Sequence, residues 1–337
     1  MSSSAANPKA PASATLIMTL LNEASGIETF LQSLTTQTVL PSEIVIVDGG
    51  STDSTLSILR AWQPPSGVTL VLEELPGAGI SQGRNRAIEL ASFEKILVTD
   101  AGTQVNSDWV EKILAGLESA EVASGFFEPL AGTFFSTLIA AVITPTITEI
   151  DPEKFLPSSR SIGFSTKAWR RGGKYPEWLD YCEDLIFDIA MRDAGVTFRF
   201  VPDAIVRWEG RPSFTAFAKQ YYRYARGDGK AQLWARRHAI RYGAYLGGLA
   251  LVVLALVASP FWWIALGAGF FIYMSQPFRR VLFFRNTVGA AWPGAILLAP
   301  FVVVLGDVSK MLGYPAGLVW RRKNRLVASA SIANVAD

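Results

Sequence analysis

The chain has 337 residues, half of them apolar, a formal charge of +2 and one cysteine. So small a net charge excludes the broad basic footprint of a nucleic-acid binder, and the lone Cys182 excludes an internal disulfide or a cysteine zinc cluster, leaving a packed thiol as its expected role. The apolar fraction exceeds that of an ordinary soluble pair of domains, and the excess lies beyond residue 240.

Residues 1–14, small and rich in Ser, Ala and Pro, read as a disordered N-terminus. The apolar run Thr15 to Leu21 is too short for a secretory signal and lacks a small-residue cleavage site, so a cytosolic N-terminal domain is expected. From residue 15 strand and helix patterns alternate, which predicts an α/β domain with a mostly parallel sheet, here bounded at 15–215. ATLIMTLL is a strand ending at Asn22-Glu23, and Ile27, Phe30, Leu31 and Leu34 mark one face of a helix. EIVIVDGG is a buried strand, followed by Ser51 and Ser54 as N-cap candidates. VTLVLEEL is a third strand, GAGISQGRNRAIELA a glycine-rich loop entering a helix, KILVTD a fourth strand, and DWVEKILAGL a further helix. FFSTLIAAVITPTITEI reads as a helix broken at Pro145, either interfacial or part of a core, and EDLIFDIAMRDAG as a helix stopped by Gly195.

In such sheets ligands sit beyond the carboxyl ends of the strands, where Asn22, Asp48, Arg84 and Asp100 fall. Two strand-end carboxylates suit ribose hydroxyls, base N–H groups or a hard cation, and each alone also suits the capping of its own turn. Gly77, Gly79 and Gly83 with Arg84 and Arg86 form a loop able to approach phosphates, although neither a dinucleotide-binding GxGxxG nor a P-loop is present. Glu183-Asp184 opens a helix; acids there satisfy the helix dipole, or one acts as a general base on an acceptor hydroxyl.

Residues 216–241 form an amphipathic interfacial segment in which KQYYRYARGDGKAQLWARR mixes aromatics with cations; Arg223, Arg226 and Lys230 are able to pair with phosphates, and His238 reads as incidental. A membrane region comes next over 242–320: helices at 242–259 and 260–276 as a hairpin, and a third span or re-entrant segment at 290–306, interrupted by Pro293 and Pro300. Arg236, Arg237 and Arg241 before the hairpin and Arg279, Arg280 and Arg285 after it place both ends on the cytoplasmic side. Residues 321–337 read as a basic tail.

Taken together, LLNEASGIETFLQSLTTQT, EIVIVDGGSTDST, GISQGRNRAI, ILVTDAG, CED and QYYRY resemble the motifs of the inverting family 2 glycosyltransferases, in the membrane-anchored bacterial-type subset, over about residues 15–240. The resemblance implies a Rossmann-like GT-A domain that binds a nucleotide sugar, followed by a C-terminal helical membrane region. It implies that Asn22, Glu23, Asp48, Arg84 and Asp100 bind the donor, with Asp48 on the base, Arg84 on the base or phosphates and Asp100 on the ribose. Asp184 would be the catalytic base. Glu183, Arg207, Gln220, Arg223, Tyr224 and Arg226 would serve the acceptor or pyrophosphate.

Departures from the family pattern are informative. Gly49 replaces an acid, and Gly102 replaces the last acid of the DxD motif, the one that ligates the cation; Arg207-Trp208-Glu209 stands where many relatives carry a metal-completing histidine. Asp100 is thus the only metal candidate, and Mg2+ or Mn2+ is expected to be weakly held or dispensable, its charge replaced by Arg84, Arg207, Arg223, Arg226 and Lys230. The expected enzyme is a hexosyltransferase of the cytoplasmic (inner) membrane, multi-pass, with a cytosolic catalytic domain. It would move one sugar from a nucleotide donor, UDP favoured, to a lipid or polyprenyl-phosphate-linked acceptor. A degenerate nucleotide- or lipid-binding scaffold, a processive polysaccharide synthase and nucleotidyl transfer are the competing readings.

Overall fold

The computed structural model describes residues 11–324, so the expected tail from 325 onward and residues 1–10 lie outside the described residues. The chain divides into two units: 1–128 with 147–208, and 129–146 with 209 onward. The sequence-based boundary at 215 does not describe this division, because 129–146 groups with the helical unit.

The first unit is built on one mixed sheet. Its strands are β1 (Ala12–Leu20), β2 (Pro41–Asp48), β3 (Thr69–Glu74), β4 (Lys95–Val98), β5 (Thr103–Val105), β6 (Val122–Pro129), β7 (Ile162–Ser165) and β8 (Phe198–Trp208). Residues 12–14, expected to be disordered, are part of β1, whose Ala12 pairs with Pro41. The order is β3-β2-β1-β4-β7-β6-β8-β5. β3, β2, β1 and β4 run parallel, β7 is antiparallel to β4 and β6, and β5 is antiparallel to β8.

Alternation of side chains explains why the parallel strands read as unbroken apolar runs. Leu16, Met18, Leu20, Ile44 and Ile46 enter one core with Ile27, Phe30, Leu31 and Leu34 of α1 (Ile27–Thr35). Ile17, Val45 and Val47 enter a second core on the opposite face, with Phe164, Trp169, Tyr175 and Phe187. The remaining helices of this unit are α2 (Thr55–Ala61), α3 (Ile80–Leu90), α4 (Trp109–Leu117), α6 (Thr166–Arg171) and α7 (Glu183–Asp193). Burying both faces leaves the strand ends as the place where polar side chains collect, and the reversal of strand order between β1 and β4 opens a crevice there.

The second unit is helical: α5 (Phe134–Ile143), α8 (Phe214–Ala231), α9 (Ala235–Val257), α10 (Trp262–Phe283), α11 (Arg285–Val288) and α12 (Trp292–Lys323). α5 stops before Pro145, and Leu138, Ile139, Ala141 and Val142 pack with Phe217, Val281, Ala295, Ala299 and Val302, so its inner face is core. α8 and α12 meet at glycines: a Cβ added at Gly229 would come within 2.9 Å of Gly317 Cα, so neither helix tolerates a side chain at this crossing.

The expected segment 290–306 is part of the much longer α12, which continues through Asp307, Lys310 and Pro315 and takes in residues 321–323 of the expected tail. The charge of Asp307 is satisfied where it lies: Arg241 Nε donates to Oδ1 at 2.7 Å, and the hydroxyls of Tyr273 and Tyr245 donate to Oδ2 at 2.6 and 3.2 Å. His238 is buried, stacked on Tyr314 with Nε2 at 3.1 Å from Asp228, a structural role. Among the described residues two runs are long and apolar enough to cross a membrane, Ala235–Val257 and Arg285–Lys323. These are the first and third of the expected segments, whereas the expected hairpin paired the first and second.

Candidate active site

The ends of β1 and β2 are laced together by side chains that the sequence left as loop residues. Asn22 adopts a left-handed backbone (φ +57°), which an asparagine tolerates. Its Oδ1 accepts from the Thr52 N–H at 2.8 Å, while its own N–H donates to Ser51 Oγ at 2.8 Å. Glu23 N–H donates to Thr55 Oγ1 at 2.9 Å. Asp53, hydrogen-bonded by the Thr55 hydroxyl, is held below the ordinary carboxylate range.

Asp48 is fully buried and serves its own turn. Oδ1 accepts from Gly50 N–H at 2.8 Å and Ser51 N–H at 2.6 Å, and Oδ2 from Ser51 Oγ at 2.6 Å. Of the two readings open for it, turn capping is the one this geometry displays.

Asp100, at the end of β4, has a different set of partners. Arg84 on α3 donates to Asp100 Oδ1 at 3.0 Å and, through its other terminal nitrogen, to Glu183 Oε1 at 2.8 Å. The Arg84 side chain is 3% exposed and that of Glu183 9%. Burial alone would lower the Arg84 pKa, but Asp100 and Glu183 override it and hold the guanidinium charged, above its already high ordinary value. Burial, together with the neighbouring Asp184 and against the pull of Arg84, pushes the Glu183 carboxyl up to about 7.

Arg84 is held in place by its neighbour in the chain. Asn85 Oδ1 accepts from Tyr175 N–H at 3.0 Å and Trp169 Nε1 at 3.2 Å, while its Nδ2 donates to Tyr175 O and Glu177 Oε1, each at 2.9 Å. The Arg84 guanidinium lies 5.3 Å from the Tyr175 ring centroid.

The first turn of α7 separates the two acids of the CED motif. Cys182, the residue before the helix, has φ +67°, a left-handed conformation that costs a non-glycine residue about 1–2 kcal/mol. It is half-buried and forms the corner, which the expectation of a simple packed thiol did not foresee. Glu183 then points inward onto Arg84. The acceptor or pyrophosphate side was its expected place; in the structure its buried contact is with Arg84. Asp184, one step further round the helix, is half-buried, its Oδ1 accepting from Leu185 N–H at 2.9 Å. Within the pair, Asp184 is the more exposed carboxylate.

Arg207 lies on β8, paired in register with Gln104, and its guanidinium is engaged by Asn106 and by Glu128 at 3.3 Å, not by Asp100. Gln220, Arg223, Tyr224, Arg226 and Lys230 lie on α8 in the other unit. There Gln220 Nε2 donates to the Tyr224 hydroxyl at 2.8 Å, and Lys230 Nζ sits 4.5 Å from the Trp320 ring centroid.

A residue absent from the sequence-based set joins Asp100 instead. Arg160 Nε is 3.9 Å from Asp100 Oδ2, and its guanidinium lies 5.4 Å from the Phe127 ring and 5.0 Å from that of Trp208. No motif spacing announces it; the only signals are an arginine just before a strand and aromatic residues far away in sequence.

These residues do not fit a bound divalent cation. Asp100 has one oxygen on Arg84 and the other toward Arg160, position 102 contributes no side-chain donor, and among the described residues no three His, Cys, Asp or Glu side chains are grouped to hold a metal.

Comparison with known proteins agrees with the fold and the motifs. Residues 15–136 match Glycosyl transferase family 2 and residues 95–305 match Glycosyl transferase family group 2. Glycosyltransferase AglE of Haloferax volcanii is 26% identical over 312 residues, covering 89% of this chain and 95% of that protein. Among solved structures, the mannosyltransferase PcManGT from Pyrobaculum calidifontis, in complex with GDP-Man and Mn2+, aligns with a TM-score of 0.61 at 19% identity, covering 91% of this chain and 88% of that one. TarS residues 1–349 from S. aureus, in complex with UDP-GlcNAc, aligns at 0.52 and 16% identity over 93% and 92%. Both structural likenesses concern the fold alone. The second family match spans more than half of the chain and takes in Asp100, Arg160 and the Glu183-Asp184 pair: the chain belongs to glycosyltransferase family 2 and is a glycosyltransferase of GT-A fold.

Proposed function

We propose that the chain transfers a single sugar, with inversion, from a nucleoside-diphosphate donor to a lipid or lipid-linked acceptor at the cytosolic face of a membrane. The observation that carries the reading is the split of the acid pair: Glu183 buried on Arg84, Asp184 left accessible at the start of the same helix. An inverting transfer needs one base to take the acceptor proton as the acceptor oxygen attacks the anomeric carbon and the nucleoside diphosphate leaves from the opposite side. Asp184 is that base. Asn22, Glu23 and Asp100 hold the donor, with Asp48 shaping the loop beside it and Arg84 fixing Asp100 from behind; the base is unspecified, and GDP-Man in one structural neighbour and UDP-GlcNAc in another bracket the choice. Charge developing on the diphosphate is met by fixed cations of the chain, so transfer depends little on Mg2+ or Mn2+.

Support for the membrane surface comes from the second unit. Leu246, Leu256, Val257, Phe271, Ile272 and Leu297 are more than three-fifths exposed, an apolar surface that water does not favour. Arg236 and Arg237 in the first turn of α9, Arg279 and Arg280 near the end of α10 and Arg285 just beyond it favour the cytosolic side. Gln220, Arg223, Tyr224 and Arg226 on α8 are assigned to the acceptor.

The test is transfer by the detergent-purified chain from a panel of nucleotide sugars into a membrane lipid extract, run with Mg2+ and with EDTA. Turnover that persists in EDTA and falls about 10²–10⁴-fold in Asp184→Asn, with nucleotide affinity retained, is the expected result. Turnover found only with added metal overturns the cation-independent part. Asp184→Asn turning over at the parent rate removes Asp184 as base, and nucleotide binding without any transfer favours the scaffold.

A further inference from the structure

Glu183, Arg84, Asp100 and Arg160 form a chain of contacts in which charge alternates, from the buried Glu183 outward. Arg84 spends both terminal nitrogens on carboxylates and is sealed from solvent. Arg160 has no such partners: its side chain is 20% exposed, beside an Asp100 that is 34% exposed, and the gap of 3.9 Å to that carboxylate is too long for a hydrogen bond. Its Nε is buried with no hydrogen-bond partner, and so is Nε1 of Trp208, whose ring lies against the guanidinium. Buried donors left without acceptors in a native fold call for an explanation. Phe127 and Trp208 within about 6 Å fix the guanidinium by its faces, a placement that leaves the in-plane N–H fork to a ligand. These groups stand beside the end of β4, where an open α/β sheet receives the phosphates of its ligand.

We infer that Arg160 binds the diphosphate of the donor and of the departing nucleoside diphosphate, in the position a divalent cation would take if residue 102 were an acid. The next member of the alternating row is then the ligand's own anion. Trp208 and Phe127 set the angle of the fork, and Asp100 restrains its charge until the donor arrives. A guanidinium reads two phosphate oxygens at once, and a diphosphate carries a further phosphate and its charge into reach of the fork, so the site prefers a diphosphate to a monophosphate. The inference rests on the nucleotide-sugar reading and adds to it the residue that receives the leaving group.

The test uses the full chain in detergent with EDTA throughout, titrated with UDP, GDP, CDP, ADP and dTDP and with the matching monophosphates, for the parent, Arg160→Gln and Arg160→Lys. The expected result is a diphosphate that binds the parent without metal, a loss of about tenfold in its affinity in Arg160→Gln, partial recovery in Arg160→Lys, and little change for the monophosphate. Thermal unfolding of each variant separates a lost contact from a lost fold; should Arg160→Gln unfold, Arg160→Lys still reports the diphosphate-to-monophosphate ratio. Equal losses for both nucleotides, no loss at all, or a diphosphate that binds only when Mn2+ is supplied would overturn the role of Arg160 while leaving nucleotide-sugar transfer intact. Failure of every nucleotide to bind, with or without Mn2+, would overturn the transfer reading along with it.

Discussion

The strands β2 and β4 flank β1 on either side and each ends near an aspartate, yet the two carboxylates do different work. Asp48 is sealed and satisfied by Gly50 and Ser51 of its own turn, so its contribution is to shape. Asp100 makes no such turn with its side chain; it is suspended between two arginines, one buried with Glu183 behind it and one open to the crevice. Position at a strand end therefore does not assign a role. The partner that arrives from elsewhere in the chain does, because a carboxylate bonded to its own backbone turn is locally satisfied, whereas one held by guanidinium groups joins a charge network that a ligand can extend.

The largest effect that separates the two regions is expected from Arg84→Met, which strands Glu183 beside Asp184 in a buried position. A loss of about 3–5 kcal/mol in unfolding free energy is predicted from denaturation of the purified chain; a loss under about 1 kcal/mol would mean that Glu183 is protonated and the pair contributes little. Asp48→Ala comes next. It leaves two backbone N–H groups without their acceptor, and about 1–3 kcal/mol should be lost in the same measurement. If the turn matters only for shape, turnover per folded molecule changes less in Asp48→Asn than in Asp100→Asn.

A smaller and pH-dependent effect comes from Glu183. Its folded-state pKa is raised to about 7 from 4.5, so the folded chain binds this proton more tightly than the unfolded one. That contribution to stability is full below about pH 4.5 and is lost as the pH rises through about 7. Glu183→Gln should flatten this fall in a stability-against-pH series. An unchanged slope would transfer it to Asp188, another buried acid of α7, which burial and Asp184 push well above the carboxylate range.

The smallest structural change sharpens the comparison most directly. A Cβ at Gly102 would meet only Glu23 Oε2, at 3.8 Å, so Gly102→Asp is accommodated and brings a third carboxylate near Asp100 and Glu23. It is expected to confer Mn2+ binding, read from the Mn2+ electron-spin signal, that the parent lacks. Equal Mn2+ binding by parent and variant would show that Asp100 holds the ion without help.

Much of the first unit was legible because buried parallel strands and amphipathic helices each leave a periodic trace. Ile27, Phe30, Leu31 and Leu34 were read as one helix face and are all buried. The short strand β5 left no such trace, since its three residues acquire their meaning only by pairing with β8. The acid pair was visible as two letters, but which one faces inward depends on the left-handed corner at Cys182 and on where α3 delivers Arg84. In the second unit, apolar runs were visible but their ends were not: prolines at 300 and 315 are carried inside α12, although the first was read as an interruption, because packing against α8 outweighs the lost backbone hydrogen bonds.

By itself, then, the sequence determined the α/β class and the family motifs, and it marked Gly102 as a departure from them, since each is written in residues close together along the chain. Only the tertiary structure decided that Glu183 is spent on Arg84, that Arg207 is engaged elsewhere, and that Arg160 stands at Asp100 between Phe127 and Trp208. Those roles are set by short-range forces among residues up to about a hundred positions apart, and a hydrogen bond or a stacked ring is decided by distance in space, on which sequence separation is silent.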